Sequence, residues 1–289
     1  MSPTGLPKGC EVDTVMAVNE WNIGIIGAGA VAETHALAIR DTLGATLVAC
    51  CATKAANARR VTDRYGGVPY AGYEAMLDEA DLDLVLIATP SGLHMEPGIR
   101  AAELGIHVLC EKPLEITLER VDALIAAHKM AGTRLGGIFQ FRYTDWVPLL
   151  NDAIASGRFG ILSHASVAVP WWRDKAYYAN SWRGTWRLDG GGALMNQSIH
   201  MIDLLCHLMP PVESLHAYTA TRAHPIEAED TAVVNLRFEG GALGQIHGTT
   251  SSFPGRPRRL EISGSRGSVV CVENRIESWE FAEDGPEDL

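Results

Sequence analysis

No stretch of this 289-residue chain approaches the ~20 consecutive apolar residues that a membrane-spanning helix needs, so no bilayer span is expected. Basic clusters are equally scarce. With 24 Lys and Arg against 35 Asp and Glu the net charge is -11, which argues against a nucleic-acid surface, because phosphate binding requires grouped cations that displace counterions. The short basic run Arg256 to Arg259 reads as a solvated loop. The six cysteines include no CxxC pair, and Cys50 and Cys51 are adjacent inside an apolar run, where strand neighbours point to opposite faces. That pattern argues against a disulfide framework and fits reduced, buried thiols in a cytoplasmic protein. A secretory signal is also missing: residues 1–20 carry Pro3, Gly5, Pro7, Gly9, Glu11 and Asp13 with no apolar core, and read as a loose leader.

What the chain does contain is 47% hydrophobic and 20% charged residues without low-complexity tracts, the composition of an ordinary globular protein. Its length suits two domains. From Trp21 short apolar runs (21–26, 45–51, 83–88, 106–110, 134–141) alternate with helical patterns (30–41, 55–65, 73–79, 94–104, 117–131). Strands without polar alternation are buried on both faces, which predicts a parallel, doubly wound Rossmann sheet over residues 21–142. After about Arg142 the rhythm changes. Helices at 145–156 and 193–208 bracket a strand at 161–169 and an aromatic loop at 170–187, and strands at 212–221, 229–238, 242–251, 258–264 and 268–272 follow. The hairpin turn Glu239-Gly240-Gly241 predicts an α+β domain over 143–289 with a large, open, mostly antiparallel sheet.

Directly after the first strand stands Gly27-Ala28-Gly29-Ala30-Val31-Ala32, a GxGxxA pattern opening a helix. Gly27 permits the tight turn, Gly29 lets backbone approach a pyrophosphate, and small Ala32 allows helix and strand to pack closely. A dinucleotide is the expected ligand. At the end of the second strand, where an NAD site usually carries a carboxylate for the ribose 2′-hydroxyl, the sequence reads Ala52-Thr53-Lys54, which tilts the expectation toward NADP while keeping NAD open.

These motifs, together with Thr89-Pro90-Ser91-Gly92-Leu93-His94, Glu111-Lys112-Pro113, and Gly190-Gly191-Gly192-Ala193-Leu194 leading to His200 and Asp203, resemble the Gfo/Idh/MocA oxidoreductases over residues 21 to 281. The resemblance implies hydride transfer between a nicotinamide and a secondary alcohol of a sugar, inositol or sugar nucleotide. It also implies a homodimer or homotetramer assembled through the C-terminal sheet. Lys112 becomes the first catalytic candidate and His200 the second, while Thr89, Pro90, His94, Glu111, Gln140 and Arg142, with Ala30 and Val31 of the fingerprint, are implied around the cofactor. An NAD-dependent glycosidase of the same fold and a non-catalytic dinucleotide sensor are the competing expectations. Beyond Phe281 the resemblance leads one to expect a closing segment and helix, whereas this chain runs into the acidic stretch Glu283 to Leu289, so a truncated or divergent C-terminus is expected.

On the helix at 193–208, Asn196, His200, Asp203 and His207 recur at spacings that stack them on one face. Asn196 occupies a position that is often aspartate in the family; an amide takes no proton but can hold a sugar hydroxyl. Two imidazoles and a carboxylate invite a zinc reading, yet all three come from one helix with no outside ligand, so no metal is expected. Trp182, Arg183, Trp186 and Arg187, in a loop dense in aromatics and arginine, are expected either to recognise substrate or to pack the two domains together.

Overall fold

The computed structural model describes residues 20–179, 181–285 and 288, so the expected leader lies, except for Glu20, outside the described residues. The first half alternates β1 (Trp21–Ile26), α1 (Ala32–Asp41), β2 (Ala45–Ala52), α2 (Ala55–Tyr65), β3 (Val68–Ala71), α3 (Tyr73–Glu79), β4 (Leu84–Ile87), α4 (Met95–Glu103), β5 (His107–Cys110), α5 (Leu118–Ala131) and β6 (Leu135–Gly137). The strands form one sheet in the order β3-β2-β1-β4-β5-β6, every neighbouring pair parallel. This is the doubly wound Rossmann order, with its topological switch between β1 and β4.

The lack of polar alternation in these strands has its cause in two cores. Ile25 and Cys50 pack into one cluster with Ala32, Ala36 and Val61, while their chain neighbours Ile26 and Cys51 pack into another with Met76, Ile87 and Val108. The five described cysteines are unpaired, and four of them are buried. One strand, β3, escaped the sequence pattern because it is a four-residue edge containing Pro69, which a central strand would not tolerate. The strand expected over 134–141 stops at Gly137; as an edge strand paired only with β5, it gives way to a 3-10 turn, Gln140–Tyr143, that carries the chain into the second half.

There α6 (Trp146–Ala155), β7 (Leu162–Pro170), α7 (Lys175–Tyr178), the π-helical Ala193–Ser198, α8 (Ile199–Leu208), β8 (Val212–Ala220), β9 (Thr231–Phe238), β10 (Leu243–Thr249), β11 (Arg259–Gly264), β12 (Gly267–Val272) and β13 (Arg275–Phe281) follow. The seven strands run β13-β12-β11-β7-β10-β9-β8, antiparallel except for the β7–β10 pair. Helices α6 and α8 cover one face: Trp146, Leu150, Leu204 and Leu205 pack against Val167, Phe238, Ile246 and Ile262. The edge strand β13 was missed because charged residues break its short apolar alternation, as edge strands commonly do. The Arg256–Arg259 run is not simply a solvated loop. Arg258 is buried, stacks over Phe141 and pairs with Glu273, and Arg259 opens β11. Among the described residues no helix is long and apolar enough to cross a membrane.

Candidate active site

At the carboxyl ends of the parallel strands lies a cavity of about 970 Å³, at the upper end of the ~300–1,000 Å³ usual for small-molecule sites. One wall is the turn from β1 into α1. Gly27 has φ +105° there, and a Cβ on it would meet the Ala88 carbonyl oxygen at 2.7 Å, so only glycine lets β1 and the end of β4 approach this closely. At Gly29 a Cβ would meet no atom within 4 Å, so the backbone is open toward the cavity. No side chain caps the N-terminus of α1, which leaves its amides available to an anion. These features fit a dinucleotide pyrophosphate.

Gly27, Gly29, Ala30, Val31, Thr53, Thr89, Pro90, Glu111, Lys112 and Gln140 all line this cavity, as do Trp182, Arg183, Asn196 and His200 from the second half. Five residues expected at the site do not line it. Lys54 is exposed at the N-terminus of α2, because the chain turns outward after Thr53. His94 is buried with both ring nitrogens engaged, Nδ1 at 2.9 Å from the Pro113 carbonyl and Nε2 at 3.0 Å from that of Thr89, so it ties the β4 loop to the Glu111-Lys112-Pro113 turn. Arg142 turns away to grip Asp203 in a bidentate pair at 2.7 and 2.6 Å. Trp186 lies on a separate groove beside Ile199 and Glu227, and Arg187 is exposed.

The one-face stack expected from Asn196 to His207 breaks for a local reason. Residues 193–198 form a π-helix, whose wider turn brings Asn196 and His200 together onto the cavity wall. Asp203 instead anchors the 3-10 turn through Arg142, and His207 faces Asn151. The π-helix begins where Gly192 packs directly against the Glu229 backbone, too close for any side chain, while the Glu229 carboxylate accepts from the Gly192 and Leu194 amides at 3.1 and 2.9 Å.

Lys112 Nζ donates to the Asn196 carbonyl oxygen at 2.8 Å. Burial pushes its ammonium below the ordinary lysine value, against the opposing pull of the Glu111 and Asp189 carboxylates. Burial would raise Glu111, but the His35 ring at 2.9 Å and the Lys112 backbone amide outweigh it and hold the carboxyl low. His200 is pushed down to about 4 by burial, with Lys112 adding to the effect; Phe139 and Phe141 flank its ring. It is therefore neutral at neutral pH.

Two further residues enter the site without a clear sequence signal. Asp189 is buried just before the three glycines, where it accepts from Asn196 Nδ2 at 2.6 Å and from the Gly184 amide at 2.7 Å. Burial raises its carboxyl despite those bonds. Tyr177, from the four-residue α7, lines the cavity and its hydroxyl accepts from Gln197 Nε2 at 3.1 Å. Gln197 also donates to Asn196 Oδ1 at 3.2 Å.

Residues 21–138 match the oxidoreductase family with an NAD-binding Rossmann fold, and residues 148–270 match the GFO/IDH/MocA C-terminal domain. The chain belongs to the GFO/IDH/MocA oxidoreductases. The WlbA dehydrogenase from Bordetella pertussis, solved with NADH and UDP-GlcNAcA, is 38% identical with a TM-score of 0.90, over 93% of this chain and 79% of WlbA. Levoglucosan dehydrogenase, solved with NADH and levoglucosan, is 26% identical with a TM-score of 0.85, over 93% of this chain and 78% of that one. The myo-inositol 2-dehydrogenase of Thermotoga maritima is 28% identical over 86% of this chain and 74% of its own length. The cofactor of this GFO/IDH/MocA member is accordingly an NAD(P) dinucleotide.

Proposed function

We propose that this protein transfers a hydride between NAD(P) and a secondary alcohol, or the matching ketone, of a sugar, inositol or sugar nucleotide. One observation carries the reading: Lys112, Asn196 and His200 share the wall of a cavity whose other wall is the glycine turn of the dinucleotide fingerprint. When bound, the nicotinamide supplies the hydride acceptor or donor. Oxidising the carbinol also releases a proton, and Lys112 is the group that takes it. Burial eases loss of the lysine's own proton, after which Nζ accepts from the substrate hydroxyl; in the reverse direction the ammonium returns that proton to the forming alkoxide. Neutral His200 hydrogen-bonds the same oxygen without adding charge. Asn196, with one amide proton held by Asp189 and one lone pair by Gln197, keeps a donor and an acceptor for a neighbouring hydroxyl. Trp182 offers a ring to the sugar C–H face, and Arg183 offers a charged fork. Trp186, Arg187, Lys54, His94 and Arg142, away from the wall, are outside the proposed contact set.

For the cofactor, we propose that the site accepts both NAD and NADP. Thr53 and Asn57 line the cavity at the β2 end, and none of the described lining residues there is a carboxylate that would repel a 2′-phosphate. Nearby Arg60 donates to the Ala28 carbonyl and lies 3.8 Å from Glu33, so it supplies no dedicated phosphate clamp. A preference for either cofactor beyond about 100-fold in kcat/KM would contradict this reading. Scanning sugars, inositols and nucleotide sugars for absorbance change at the nicotinamide band tests the activity itself. Turnover of at least one substrate should fall by about 10²-fold or more in Lys112→Ala; an unaffected variant would remove Lys112 from the chemistry.

We also infer a homo-oligomer formed through the second sheet. Its uncovered face exposes Tyr218 and Val233, cross-strand neighbours on β8 and β9, and Leu243 further along on β10 opposite Arg237. Light scattering of the full chain should give a dimer or larger species; a monomer would refute the assembly.

A further inference from the structure

Two arginines stand beside the reaction end of the cavity with no carboxylate at ion-pairing distance among the described residues. Arg183 lines the cavity, and among the described residues its guanidinium hydrogen-bonds only Ser181 Oγ, at 3.3 Å. Among the described residues the Arg173 guanidinium bonds only the Trp172 carbonyl, and its Nε is buried without a partner. Neither forms an ion pair among the described residues. By contrast Arg120, Arg142 and Arg258 are each paired with a carboxylate. Both unpaired guanidinium carbons lie against the same ring, at 4.6 Å (Arg183) and 5.1 Å (Arg173) from the centroid of Tyr177. The Tyr177 hydroxyl accepts from Gln197, so its own proton is left for another acceptor.

Like charges held together and partly removed from water are costly unless a counter-charge arrives. The dinucleotide pyrophosphate is not that partner, because its fit is at the Gly27–Gly29 turn, whereas Arg183 acts electrostatically on Lys112 and Asp189 at the opposite, substrate end. Resting on the hydride-transfer reading above, we infer that Arg183 and the Tyr177 hydroxyl, reinforced by Arg173, form a subsite for an anionic group of the substrate, a carboxylate or a phosphate on the sugar. Arg183 grips the anion with its planar fork, Tyr177 donates its proton, and Arg173, against the same ring, adds positive potential.

The test is calorimetric titration of the full chain loaded with NADH. UDP-GlcNAcA against UDP-GlcNAc isolates a carboxylate, and glucose 6-phosphate against glucose isolates a phosphate. In at least one pair the anionic member should bind about tenfold more tightly or better, and Arg183→Gln should remove that advantage. Arg173→Gln should reduce it in part, and NADH affinity should stay within about twofold in both variants. A smaller advantage in both pairs, an advantage that survives Arg183→Gln, or no binding of either anion by the NADH-loaded protein would overturn the subsite. Failure to bind NADH at all would instead strike the oxidoreductase reading on which the subsite rests.

Discussion

Asp189 Oδ1 accepts a 2.6 Å hydrogen bond from Asn196 Nδ2, so a buried carboxylate reaches the cavity wall through an amide. The negative charge missing four residues before His200 is present one hydrogen bond further back. There it still acts electrostatically on Lys112.

Replacing Asp189 with Asn should therefore do more than loosen the fold. Both carboxylate oxygens accept N–H donors, and an amide has only one acceptor oxygen for the two. A lost charge-assisted bond of about 1.5–3 kcal/mol predicts a fall in kcat/KM of roughly 10- to 100-fold, with NADH affinity intact. Removing the carboxylate also lets the Lys112 ammonium titrate lower, so the rising limb of the pH–rate profile for alcohol oxidation should move to lower pH. A purely structural role would leave that limb in place.

Alcohol oxidation should rise with pH and level off with an apparent pKa below the ordinary lysine value of 10.5, because burial favours the neutral amine. No inflection near the usual histidine value should appear, since His200 titrates at about 4. Steady-state kcat/KM across the pH range checks both statements, and a histidine-like break between pH 6 and 7 would show that His200 is not held neutral.

His200 also makes a stability prediction. Its folded value, about 4, lies below its unfolded value of 6.5, so the unfolded chain binds the proton more readily and stability falls as pH drops through that window. The full loss, reached below pH 4, is on the order of 3 kcal/mol. Urea unfolding at a series of pH values should show a shallower acid slope for His200→Gln than for the native chain; identical slopes would exclude the burial effect.

Arg142 was expected beside the cofactor but pairs with Asp203, and its side chain is 44% exposed. Arg142→Ala should cost no more than about 1 kcal/mol of stability. It should leave kcat near normal, with a moderate rise in cofactor KM because the turn carrying Gln140 loses its anchor on α8. A loss of kcat comparable to that of Lys112→Ala would place Arg142 in the chemistry.

Much of this protein was determined locally in its sequence. The glycine turn at Gly27, the placement of Lys112 after β5 and the doubly wound order follow from strand–helix alternation and from glycine's freedom at positive φ, which depend on neighbours in the chain. The short edge strands β3 and β13 were less legible, because an edge needs only one partner and tolerates proline or charge. Tertiary contact decided the rest. Whether a polar residue at helical spacing faces the cavity depended on the π-turn that Glu229 sets up across Gly192, and not on the spacing. Asp189 became part of the site, while Arg142, Asp203 and His94 were turned to bracing it, because each buried polar group must find a partner from a distant part of the chain. A periodicity of residues contains no record of those pairings, so only the folded arrangement selects which side chains remain for the substrate.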